Sequence, residues 1–174
     1  MNTKEKVLIH KGMDRVRQKQ FQEAMEIFDS VLAANPRLPE AWNNKGVALF
    51  HLGNIEEALQ CYNESLAQSP ENLEALRNKG FVLRTSGRLE EALQCYDSVL
   101  KTEGEALDFE ATATVLVGLG RLVEALQCLF KAVEMQPLDR FMEEIELLKG
   151  MIVQREAEEA CCGGGGLNPP EAQE

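Results

Sequence analysis

At 174 residues the chain has the length of one ordinary domain, and 44% hydrophobic against 27% charged residues is the balance of a folded soluble protein. Its 18 Lys and Arg against 29 Asp and Glu give a formal charge of -11, which repels phosphate backbones and anionic lipid surfaces, so nucleic acid is not an expected partner. No run approaches the ~20 consecutive apolar residues that a membrane span needs, and no apolar stretch of signal-peptide length opens the chain, which predicts a cytoplasmic protein without a span.

From the amino terminus onward the chain repeats itself. Gly12, Gly46 and Gly80 fall 34 residues apart, as do Ala24, Ala58 and Ala92. The string EEALQCY occurs at 56–62 and 90–96, and EALQC returns at 124–128, one residue short of the period. Apolar residues at helical spacing fill both halves of each unit, predicting a pair of helices per repeat. The units are 5–38, 39–72, 73–105 and 106–138. With the Gly as position 8, position 4 holds Leu8, Trp42, Leu76 and Phe109, and position 8 holds Gly12, Gly46, Gly80 and Ala113. Small residues there let the two helices approach closely. The turn at position 15 holds Lys19, Gly53, Gly87 and Gly120, where a residue just past a helix end often takes positive φ. Position 20 is always Ala, position 24 holds Phe28, Tyr62, Tyr96 and Leu129, and position 32 holds Pro36, Pro70, Gly104 and Pro137.

This unit resembles the tetratricopeptide repeat, whose pattern is a Trp or Leu, a Leu-Gly, a Tyr, an Ala, an aromatic and a closing Pro. The resemblance covers residues 5 to 138. Its departures sit toward the ends. Lys11 and Arg15 replace apolar residues in the first repeat, leaving helix A there to lean on Leu8, Gly12 and Val16. Gly104, between Glu103 and Glu105, predicts a looser joint between repeats three and four. Past Pro137, residues Phe141, Ile145, Leu148 and Ile152 form one stripe of an amphipathic helix over 139–160, expected to cap the last repeat. The Gly- and Pro-rich tail 161–174 has too little apolar content to offset the entropy of ordering it and is expected to be disordered.

Little in the sequence points to catalysis. Cys61, Cys95 and Cys128 are copies of one position, roughly one helix-pair spacing apart and thus too far for disulfides, so they read as partly buried structural thiols. Cys161 and Cys162 form an adjacent pair in the tail, open to lipidation, metal binding or oxidation, with an inert tail the plainer reading. His10 and His51 occupy different levels of successive helices, and neither stands beside a nucleophile. No phosphate loop, zinc motif or nucleophile elbow is present. No enzyme, cofactor or metal is implied.

The tetratricopeptide resemblance implies a groove lined by helix A positions 2, 5, 6, 9, 12 and 13. These bring forward His10, Asn44 and Asn78 at position 6, Ile9, Asn43 and Arg77 at position 5, Met13, Val47 and Phe81 at position 9, and Arg84 at position 12. An Asn amide donates and accepts, so stacked Asn residues can hold the backbone of an extended peptide. Asn is also a mediocre helix former, which calls for a reason beyond propensity. Position 9 either supplies apolar pockets or fills the seam between neighbouring A helices. Lys6, Arg17, Arg77 and Arg84 against Glu40, Glu74 and Glu110 leave the groove at +1, favouring an acidic or neutral peptide. A carboxylate clamp of the family's chaperone-binding members is absent, since Ile9, Met13, Val47 and Glu74 stand where it needs polar or basic groups.

The sequence therefore predicts an all-α, right-handed αα superhelical solenoid of four helical hairpins plus a C-terminal capping helix. Its predicted function is that of a non-enzymatic scaffold binding a peptide segment of a protein partner whose identity the sequence does not give. The alternative is a self-assembling unit, a homodimer through the last helix, because Met142, Leu147, Met151 and Val153 are apolar yet fall off the packing stripe.

Overall fold

The computed structural model describes residues 2–163, with side chains through residue 160. All regular structure among the described residues is helical: α1 (Thr3–Arg17), α2 (Phe21–Ala34), α3 (Pro39–His51), α4 (Ile55–Gln68), α5 (Leu73–Thr85), α6 (Leu89–Glu103), α7 (Ala106–Gly118), α8 (Leu122–Met135) and α9 (Asp139–Gly163). The chain falls into two compact units, Met1–Gly104 with α1 to α6 and Glu105–Glu174 with α7 to α9.

Helix starts and stops follow the residues at their ends. Asn2 and Glu5 form a reciprocal capping box on α1, Glu5 N donating to Asn2 Oδ1 at 2.9 Å and Asn2 N to Glu5 Oε2 at 2.7 Å. Pro39 opens α3 at a position where its missing N–H costs nothing, and Asn72 accepts from Ala75 N to open α5. Each hairpin turns through one residue of positive φ, at Lys19 (60°), Gly53 (84°), Gly87 (76°) and Gly120 (73°). Two backbone hydrogen bonds close each turn. In the second, Gly53 N donates to Phe50 O at 3.0 Å and Asn54 N to Leu49 O at 3.0 Å, and the other three repeat the pattern. This bonding ends the first helix and aims the second back along it.

In the first unit, neighbouring helices pack in chain order, and α1, α3 and α5 also touch in sequence. The contact inside each hairpin is a glycine under a ring. A Cβ on Gly12 would lie 2.5 Å from Phe28, on Gly46 2.7 Å from Tyr62, and on Gly80 3.1 Å from Tyr96. Ala24, Ala58 and Ala92 are fully buried beside these contacts. In α1 the buried residues are Ile9 and Gly12, with Leu8 and Val16 only partly covered. Ile9 is thus core rather than groove, packed with Val31, Leu32, Leu38 and Ala41.

In the second unit, Glu105 and Asp108 form a capping box on α7, and α8 packs on both α7 and α9. Phe141, Ile145 and Leu148 of α9 are buried, with Phe141 against Ala106 and Ala132. The backbone of α9 continues to Gly163, as its Glu- and Ala-rich end favours. Residues 164–174 and the side chains of Cys161 and Cys162 lie outside the described residues. No helix of the described residues is long and apolar enough to cross a membrane.

Candidate functional site

The A helices of the first unit present the residues that the repeat frame assigns to a groove, and they separate into three kinds. The asparagines at positions 5 and 6 look inward. Asn43 is 1% exposed and Asn44 7%, and Asn44 Nδ2 donates to Glu40 O, one turn back on its own helix, at 2.8 Å. Asn78 is half-buried and its Nδ2 donates to Asn43 Oδ1 at 3.0 Å, tying α5 to α3. Asn43 Nδ2 is buried with no hydrogen-bond partner among the described residues. Hydrogen bonding between layers is therefore one reason for Asn in these helices, as two helices can meet through paired amides at a depth where an unpaired amide would be costly.

Position 9 grades from seam to surface. Met13 is half-buried between two core clusters, one around Ile9 and one around Phe28, and fills the seam. Val47 is half-buried, and Phe81 is 42% exposed. His10 is exposed on α1, while Arg77 and Arg84 are half-buried on α5.

Around Phe81 the fold builds an aromatic run that position-by-position reading does not assemble. Phe50 meets Phe81 edge-on with ring centroids 5.6 Å apart, and the guanidinium of Arg84 lies 5.3 Å from the Phe81 ring. At the other end His51, 5.5 Å from Phe50, stacks on Phe21 of α2 at 4.4 Å and 13°. Arg84 Nε is buried without a hydrogen-bond partner among the described residues, so the ring face is the contact it has. Phe50 sits at position 12 of its repeat, a groove position that would have flagged it. Phe21 opens a B helix, and no groove position points to it.

The cysteine positions are packing positions. Cys61 and Cys95 are buried, Cys128 is half-buried, and none of the three is in a disulfide. Burial pushes the Cys61 thiol up to about 11, with Lys45 opposing, and raises Cys95 as well. A thiol held protonated at neutral pH is a poor nucleophile. The described residues hold no cluster of three or more His, Cys, Asp or Glu fit to bind a metal.

A family model described as tetratricopeptide repeat matches residues 39–72. No curated protein sequence matches the chain. Among solved structures, it is similar to MamA residues 41-end from Desulfovibrio magneticus RS-1, at 19% identity over 94% of this chain and 92% of that one, with a TM-score of 0.77. It is similar to Pseudomonas aeruginosa PilF at 19% identity over 94% and 78%, with a TM-score of 0.78. A third is TTC0263, a thermophilic tetratricopeptide-repeat protein of Thermus thermophilus, at 20% identity over 83% and 80%, with a TM-score of 0.71. At these identities the likeness shows the fold alone. One repeat, residues 39–72, is matched by the tetratricopeptide-repeat model, and the chain shares an all-α fold with solved tetratricopeptide solenoids. Such repeats are, in general, protein-interaction scaffolds.

Proposed function

We propose that the chain is a non-enzymatic, cytoplasmic adaptor whose A-helix face in the first unit takes a short segment of another protein. The observation that carries this reading is the aromatic run ending in the 42% exposed Phe81 under Arg84. A partly exposed ring beside a cation offers a partner both apolar area and an anion contact, the mixture that dominates binding hot spots. The amide donors of Asn44 and Asn78 are already engaged within the fold, so Asn78 offers Oδ1, which accepts no hydrogen bond among the described residues, to a peptide N–H, with half-buried Val47 on the neighbouring A helix. An acidic or neutral segment with one large apolar side chain suits this face. Capture of partners from the native cell on wild type, compared with a Phe81→Ala, Arg84→Ala double variant, tests it. Loss of a specific partner on the double variant is expected, and retention of every partner overturns the assignment.

A second reading, self-association through α9, is favoured by exposure of Met142 (49%), Leu147 (69%), Met151 (45%) and Val153 (65%). Against a twofold contact of this kind stand nine acids and three basic residues in 138–174. Light scattering that finds a doubled mass for wild type, abolished by Leu147→Glu with Met151→Glu, would promote it over the adaptor reading.

A further inference from the structure

Two helices of this chain carry opposite net charge, and the ion pairs that form among the described residues, Arg15 with Glu23 of α2 included, leave charged groups unpaired on both. Helix α1 holds five Lys and Arg against two acids, a net of +3. Lys4, Lys6 and Lys11 are exposed and form no ion pair among the described residues. Val7, 62% exposed, shares a helix face with Lys4 and Lys11 at i-3 and i+4. Helix α9 holds seven acids against three basic residues, a net of -4. Between it and helices α7 and α8 lies a cleft of about 200 Å³, lined by Thr114, Val117, Leu129, Glu144 and Leu147. That is smaller than the ~300–1,000 Å³ of a small-molecule site and suits a single aliphatic side chain.

Glu144 in the lining of the cleft and Glu143 beside it on α9 carry the charge to select what enters. Glu143 and Glu144 form no salt bridge among the described residues, whereas the nearby Glu110 and Glu146 are taken up by Arg140 and Lys149. Burial and then the neighbouring Glu110 raise the Glu144 carboxyl, with Arg140 opposing, so an incoming cation would relieve it.

We propose that α1 of one copy docks on the α9 face of a second copy, Val7 entering the cleft and Lys4 and Lys11 meeting Glu143 and Glu144. The occupant is chosen by charge. A twofold contact would set an α9 of -4 against another of -4, while α1 on α9 sets +3 against -4. The contact is heterologous, so each bound copy keeps one free face and the assembly grows head to tail. It shares with the self-association reading the need for a second copy, but not the twofold. Exposed ion pairs contribute little each and are screened by salt, so the association is weak and salt-sensitive.

Sedimentation velocity on the full chain tests this with Val7→Glu and Leu147→Glu, both at exposed positions where folding is not at stake. Wild type should exceed 19.4 kDa increasingly with concentration at low salt and return to it at high salt. Each variant alone should stay monomeric. Their equimolar mixture should stop at a doubled mass, because the α1 of one and the α9 of the other are both intact. Assembly by Val7→Glu but not by Leu147→Glu, without rescue on mixing, would overturn the head-to-tail contact and leave the α9 twofold standing. Wild type monomeric at every concentration overturns both.

Discussion

The third and fourth hairpins solve one packing problem in two ways. In the third, Gly80 lies under the ring of Tyr96, with room for a Cβ only at 3.1 Å. In the fourth the same two positions hold Ala113 and Leu129, 2% and 1% exposed. A methyl has been added to one side of the contact and a ring exchanged for an aliphatic chain on the other. The repeat therefore specifies a pair of volumes across the helix interface rather than two residue types, as close packing requires.

Forcing the two solutions together should have the largest effect. Gly46→Ala brings a methyl to 2.7 Å from the Tyr62 ring, which is 1% exposed and has nowhere to go. Overpacking of this kind costs about 1–3 kcal/mol, against about 1 kcal/mol of helix propensity gained. A net loss, seen as a melting temperature several degrees lower, is expected. Adding Tyr62→Leu recreates the Ala and Leu pair of the fourth hairpin. The double variant should be more stable than the sum of the two single losses by about 1 kcal/mol or more, a coupling that a double-mutant cycle reads directly. Additive losses would mean that the two positions do not sense each other. The reverse change, Ala113→Gly, relieves no clash and removes a methyl that is 2% exposed, so it should cost about 1 kcal/mol through propensity and about 1 kcal/mol more through the gap left beside Leu129.

The comparison also marks how far the sequence could be read. Period, hairpins and turns were legible because Gly, Ala and the aromatic recur at fixed spacing and each has one steric meaning. Even Lys19, the sole non-glycine at the turn position, was placed by its neighbours in the frame. The groove was less legible. A position number says which way a side chain leaves its helix, but not how deep the next helix lies over it. Ile9 and Asn43 share position 5 with the half-buried Arg77, yet both are buried, because α2 and α3 pack over the first and α5 meets the second through Asn78. The run from Phe21 through His51 and Phe50 to Phe81 joins three helices, and only their packing assembles it.

A smaller effect separates buried from half-buried copies of one cysteine. Cys61 titrates near 11 in the folded chain, from an ordinary value near 9, so the native state keeps its proton where the unfolded state loses it. Stability from this thiol is complete below about pH 9 and is lost as pH rises toward about 11. A Cys61→Ala variant should show a flatter decline in unfolding free energy over that window. Alkylation at pH 8 should label Cys128, the half-buried copy, before Cys61 and Cys95. Equal labelling rates would mean that the hairpins open together.

The smallest expected effect isolates conformation from packing. Lys19 and Gly53 are equivalent turn residues at φ of 60° and 84°, and a Cβ built on Gly53 meets nothing within 4 Å. Any cost of a side chain at position 53 is therefore backbone strain, unlike the collision at Gly46. Gly53→Lys should destabilise by about 1 kcal/mol, the penalty of left-handed backbone for a residue with a Cβ. Lys19→Gly removes that strain but gives the unfolded chain more freedom, worth about 0.4–1 kcal/mol in the opposite sense. The net gain should be a few tenths of a kcal/mol, read as a slightly higher denaturant midpoint at unchanged slope. A loss on Lys19→Gly would show instead that the lysine side chain itself stabilises the first turn, and that the four turns are alike in backbone only.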